Sequence, residues 1–222
     1  MKLKKIASLA LAGIMAVSML AGCKDGGNSN SGSSSSETTG TASGYSAMLA
    51  EELKDTAAKK YVTFADNNSD KTALEDWLGN FANSFITAIG SNAYGGIPVT
   101  KAALTTYVDD LEDAAGLNGY TDDFRFADNL MMLGTWKVGK LYVADGSVDI
   151  EKVIKNIAAS INDTTLSGVL VDTGTSNDNT LSVKYSYVVS ASVVNVKDTE
   201  NLQMNQSTNV ILVTITRTGV AE

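Results

Sequence analysis

The chain has 222 residues, with 17 Lys and Arg against 25 Asp and Glu, no histidine and a single cysteine. A net charge of −8 is the opposite of the basic footprint that nucleic-acid binding needs. The lone cysteine excludes an internal disulfide, and without histidine neither Ser-His-Asp nor Cys-His catalysis has a base, nor a His-based zinc site its ligands.

The N-terminus reads as an export signal. Lys2, Lys4 and Lys5 are followed by an apolar run, Ile6 to Leu20, that is shorter than the roughly 20 residues a spanning helix needs. The run ends in Leu20-Ala21-Gly22-Cys23. Positive start, apolar run, small residues and cysteine, in that order, resemble the signal peptide and lipobox of bacterial lipoproteins. The resemblance covers residues 1–23. It implies cleavage after residue 22, diacylglyceryl modification of the Cys23 sulfur and a membrane anchor on the outer face of the cell membrane.

Residues 24–44 hold seven Ser and five Gly and no Leu, Ile, Val or aromatic residue, so they cannot bury enough apolar surface to offset their ordering entropy. As a coil they span about 25 Å. Long polar tethers of this kind favour a Gram-positive cell surface by analogy. Removing the signal, with its three lysines and no acid, takes the charge to −11, which disfavours docking on anionic headgroups. Residues 45–222 then form one domain, ample for a hydrophobic core.

Within that domain a helix is expected from about Ser46 to Ala65, where Tyr45, Leu49, Leu53, Ala57 and Tyr61 recur every four residues. A second starts at the capping box Thr72-Ala-Leu-Glu75 and ends at Gly90. A third runs from Pro98 to Ala115, with Gly116 as its stop. Asp122 or Asp123 can cap a helix through Leu133, followed by a strand over Trp136–Val143; a helix throughout 120–146 is the alternative. Ile150 to Ile161 follows the helical apolar rule, with Ser147 or Asp149 as cap. Leu166–Val171 reads as a short strand. Leu181, Val183, Tyr185, Tyr187 and Val189 alternate with polar residues in a half-solvated strand, and Val210–Thr218 is another. Helices first and strands last predict an α+β fold with a mainly antiparallel C-terminal sheet.

Four stretches carry candidate chemistry. "VLVDTGTS", Val169 to Ser176, resembles the active-site strand and turn of aspartic proteases. The resemblance implies Asp172 as a catalytic carboxylate that needs a second copy to share its proton. Only 50 residues follow it, and the later elements of that family are missing; "DTGTSNDNT", made of turn-forming residue types between two strands, reads better as a hairpin turn. Asp109, Asp110, Glu112 and Asp113, with Asp122 and Asp123, would form a Ca²⁺ site, the reading set against a solvated acidic face. Asp66, Asn68 and Asp70 match calcium-loop positions one, three and five, but Lys71 and Trp77 stand where Gly and Glu belong. Tyr94, in a Gly-rich loop, either presents an aromatic ring to a sugar or peptide or folds back onto the core.

The expectation from these residues is a lipid-anchored, extracytoplasmic, non-enzymatic binding or structural module of the cell envelope. It needs no cofactor unless the acids hold Ca²⁺, and its partner is an envelope component, a glycan or a protein. A carboxylate-based hydrolase of extracellular polymers, acting through Asp172, is the alternative. A transporter's solute-binding receptor fits less well, because no second lobe is visible.

Overall fold

A computed structural model describes residues 44–89, 96–104, 107–126, 133–175, 181–197 and 207–222. In chain order the elements are α1 (Tyr45–Glu52), α2 (Lys54–Ala57), β1 (Val62–Phe64), α3 (Asn68–Ile89), β2 (Ile97–Pro98), α4 (Lys101–Leu104), α5 (Tyr107–Ala115), β3 (Gly119–Tyr120), β4 (Gly134–Asp145), α6 (Ile150–Ile161), α7 (Asp163–Val169), β5 (Thr173–Thr175), β6 (Ser182–Lys197) and β7 (Ser207–Ala221). Among the described residues no helix is long and apolar enough to cross a membrane.

The strands form one mixed sheet in the order β1-β6-β7-β4-β2, with β5 also pairing β6 and β3 also pairing β4. Of the three long strands, β7 runs antiparallel to both its neighbours, β6 and β4, whereas β1 runs parallel to β6 and β3 parallel to β4. The expected α+β content is therefore present, but the sheet is mixed and takes β1, β2 and β3 from the first two-thirds of the chain. Strands of two or three residues are too short to show a period. They also cover the outer edges of β6 and β4, which would otherwise expose unpaired backbone groups.

Helices pack on both faces of the sheet, so parts of the long strands are apolar on both sides. On one face, Tyr185, Tyr187, Val189, Ala191, Ile211, Val213, Ile215, Val138 and Tyr142 meet Leu49 of α1, Leu53 just after it, Val153, Ile154 and Ile157 of α6, and Leu166 of α7. On the other, Leu141, Val143, Val210 and Leu212 meet Leu74, Trp77 and Leu78 of α3, Leu104 of α4 and Val108 and Leu111 of α5.

Local rules were overridden where a distant residue supplied a better partner. The first expected helix stops at Glu52. The Asp163 carboxylate accepts hydrogen bonds from the Asp55 and Thr56 backbone N–H groups at 2.7 and 2.9 Å and from the Thr56 hydroxyl at 2.7 Å, which caps the separate turn α2 from more than 100 residues away. Val62–Phe64 then pairs with Tyr187–Val189 of β6 instead of continuing a helix. Helix α3 begins four residues before Thr72, because Asn67 Oδ1 accepts from the Ser69 and Asp70 N–H groups at 3.0 and 3.3 Å. Thr72 and Glu75 are thus interior, and Glu75 instead meets Lys71 at 3.8 Å.

The third expected helix does not begin at Pro98. Pro98 lies in edge strand β2 opposite Tyr142, where its missing N–H is tolerated, and Thr100 Oγ1 caps the short α4 at 3.2 Å. Gly116, at φ 60°, ends α5 as expected.

Residues 121–126 are not helical. Thr121 Oγ1 accepts from the Phe124 N–H at 3.0 Å, and the chain turns there at Phe124, with φ 56°. Residues 127–132 lie outside the described residues. Leu166–Val171 is not a strand: Asn162, at φ 65°, ends α6 and caps α7 by accepting from the Thr165 N–H, so Leu166 and Leu170 reach the core one helical turn apart. Helix α6 and its Asp149 cap agree with the sequence reading in both bounds.

Candidate functional site

The residues singled out by the sequence do not converge. Cys23 and Tyr94 lie outside the described residues. Asp172 is exposed just before β5, and its carbonyl accepts from the Tyr185 N–H at 2.7 Å. Strand β5 pairs antiparallel with β6, Gly174 opposite Val183, which is the first half of a hairpin.

Asp109 and Asp110 occupy the first turn of α5 and not its last, so the helix dipole favours them. Glu112 Oε1 accepts from the Tyr120 N–H at 2.8 Å and pairs with Lys101 at 3.2 Å. Asp123 pairs with Arg125 at 3.0 Å, and Asp113 and Asp122 are exposed. Among the described residues no three His, Cys, Asp or Glu side chains are grouped to hold a metal. The calcium-loop match also disperses: Asp66 Oδ1 accepts from the Ser46 N–H, while Asp70 is buried against Lys137 and Thr214.

The structure assembles a different site around Arg217 of β7. Ile211, Val213 and Ile215 point into the core, and Arg217 follows them at the same parity. Its strand neighbours are Trp136 of β4 and Tyr187 of β6. The guanidinium carbon lies 4.7 Å from the centre of the Phe126 ring and 4.8 Å from that of Tyr185. Tyr187 completes the wall, 5.8 Å from Phe126 and 6.5 Å from Tyr185, with Tyr61 6.2 Å beyond it.

Hydrogen bonds hold these rings in place. Tyr187 OH donates to the Val171 carbonyl and Tyr61 OH to the Leu170 carbonyl, each at 2.9 Å, and Lys59 Nζ donates to Tyr61 OH. The Tyr185 ring lies against Gly174, where a Cβ would come within 2.8 Å of the ring edge. The cradle is therefore built from β4, β6, β7, the turn after β3 and the segment between α7 and β5.

Arg217 is only 7 % exposed, and its Nη2 is buried with no hydrogen-bond partner. No carboxylate pairs with it among the described residues. Leaving a buried charged donor unsatisfied costs at least about 1–3 kcal/mol. The two ring contacts offset part of this, at about 0.5–2 kcal/mol each. A guanidinium only donates and stays charged, so the cradle recognises an acceptor and does not exchange protons. The signal was present in the sequence as one arginine at the inward parity of a Val/Ile/Thr strand, but parity alone does not say whether such a residue is paired.

Burial also shapes the tyrosines. It pushes Tyr187 up to about 12 although Arg217 pulls the other way, pushes Tyr142 up to about 12, and raises Tyr120 as well. Unfolded tyrosines ionise near pH 10. Above that value the unfolded chain loses protons that the folded chain keeps, so stability falls as pH rises from about 10 to 12. We expect the melting temperature to drop across this window, and tyrosinate absorbance to show these phenols ionising together with unfolding. A flat melting temperature to pH 12 would contradict it.

Comparison with known protein families, curated proteins and solved structures finds no match to this chain.

Proposed function

We propose that the chain is a membrane-anchored, extracytoplasmic lipoprotein whose folded domain is a non-enzymatic binding module of the bacterial cell envelope. The observation that carries the binding role is the Arg217 guanidinium inside an aromatic wall, with its buried Nη2 making no hydrogen bond: recognition chemistry held rigidly on a sheet. The anchor rests on the run from Lys2 to Cys23 and on the polar stretch that separates it from Tyr45, the first residue of α1. Two or more acyl chains give stable anchoring where one does not.

Expressed in a Gram-positive host, the full chain should incorporate labelled palmitate and partition into detergent. Cys23→Ser should lose both the label and the membrane association. Unchanged partitioning of Cys23→Ser would refute the anchor. For binding, a thermal-shift panel of wall fragments, glycans, peptides and small acids tests the full-length protein; a ligand at 100 times its Kd stabilises by about 2.7 kcal/mol.

A further inference from the structure

We propose that the Arg217 cradle is the binding site for a single carboxylate carried on an apolar or aromatic body. The inference rests on the binding-module reading and specifies its ligand. Three observations carry it. The Arg217 Nη2 is buried and makes no hydrogen bond, and Phe126 and Tyr185 flank the guanidinium at 4.7 and 4.8 Å. Contacts with the flanking ring faces leave the in-plane N–H edge as the direction from which an acceptor is recognised, and a planar carboxylate matches that edge with two parallel hydrogen bonds.

The second argument is charge. One desolvated cation neutralises one anion, and in a site of low polarity a doubly charged phosphate would leave an uncompensated negative charge. A polyanionic chain would also be repelled by a protein whose own charge is −8 before signal removal. The third is the wall itself. Trp136, Phe126, Tyr185 and Tyr187 surround the cation with apolar side chains, a lining that matches an acid with an aromatic or aliphatic body.

Two readouts test this on the full-length protein. The first needs no ligand. Exchanging an unpaired buried arginine for an apolar residue of similar volume removes a desolvation cost, so Arg217→Met should raise the melting temperature of the free protein by about 2–4 °C. If Arg217 is instead satisfied by an acid of this chain, Arg217→Met lowers it. Asp128, two positions past Phe126 and outside the described residues, is the nearest such acid in sequence, and Asp128→Asn would then lower it too. That outcome overturns the proposal.

The second uses N-acetyl-phenylalanine as probe, with N-acetyl-phenylalaninamide and phenyl phosphate as controls. In a Trp77→Phe background Trp136 becomes the sole tryptophan and reports on the cradle. The acid should change its emission saturably and the amide should not. Arg217→Lys, which keeps the charge but loses the planar fork, should weaken binding at least about tenfold. Equal responses to acid and amide, a preference for the phosphate, or binding that survives in Arg217→Met overturn the inference. If the panel above finds a ligand whose shift persists in Arg217→Met, the binding role stands and the cradle assignment fails.

Discussion

Replacing Asp70 with alanine is expected to destabilise the protein by about 3–5 kcal/mol. Asp70 is 1 % exposed in the first turn of α3. One carboxylate oxygen pairs with Lys137 Nζ, and the other accepts from Thr214 Oγ1 at 2.7 Å. Lys137, whose side chain is 15 % exposed, also donates to the Ala115 carbonyl at 2.7 Å, at the C-terminal end of α5 where a cation is favoured. A single pair thus joins α3, α5, β4 and β7.

Removing Asp70 strands the lysine in a poorly solvated site and leaves Thr214 without its acceptor. Folded domains hold only about 5–15 kcal/mol in total, so the urea midpoint should fall by a large fraction. The double variant Asp70→Leu/Lys137→Met removes both charges and should recover most of the loss, because the desolvation cost disappears with them. A double variant no more stable than Asp70→Ala would show that the pair contributes through shape and not through charge.

Trp77→Ala is expected to cost about 3–5 kcal/mol by emptying the centre of the second core. Trp77 is 2 % exposed, packs with Leu74, Val108, Leu111 and Leu212, and its indole N–H donates to the Tyr107 carbonyl at 3.3 Å. Its face of the sheet is closed by α3 and the short α4 and α5, which have little local stability of their own. The loss should therefore appear as a lower urea midpoint by circular dichroism, with Trp136 emission reporting the opposite face. Trp77→Phe keeps most of the apolar volume and should cost much less. Equal costs for alanine and phenylalanine would place the stabilisation in the indole hydrogen bond and not in packing.

The two sites show why some residues were legible in the sequence and others were not. Trp77 stands on a helical apolar stripe, and its burial follows from spacing alone. Asp70 was read as part of a failed calcium loop, because its partners, Lys137 and Thr214, lie 67 and 144 residues away. Asp163, between the expected helix to Ile161 and the expected strand from Leu166, caps α2 across more than 100 residues. Arg217 occupies an inward position on a strand that was correctly placed, yet only the neighbouring strands and the Phe126 turn reveal that its charge has no counterion among the described residues.

Sequence alone sufficed for what depends on near neighbours. The amphipathic α6 and the long strands within β6 and β7 each repeat a pattern over many residues, so local energies add up to one answer, and the stop at Gly116 is a one-residue signal; the choice of strand over helix in 120–146 was left to the tertiary structure. The α+β composition followed from these. Tertiary structure decided the rest: the mixed sheet, the division of the expected first helix, the late start of the third, and the conversion of Leu166–Val171 to helix. In each of these the local preference is small, because a three-residue strand or a one-turn helix gains little by itself. A long-range partner such as β6 for β1, or Asp163 for α2, supplies more free energy than the local pattern can oppose. The candidate site belongs to the second group, since an unpaired guanidinium is defined by what surrounds it in space.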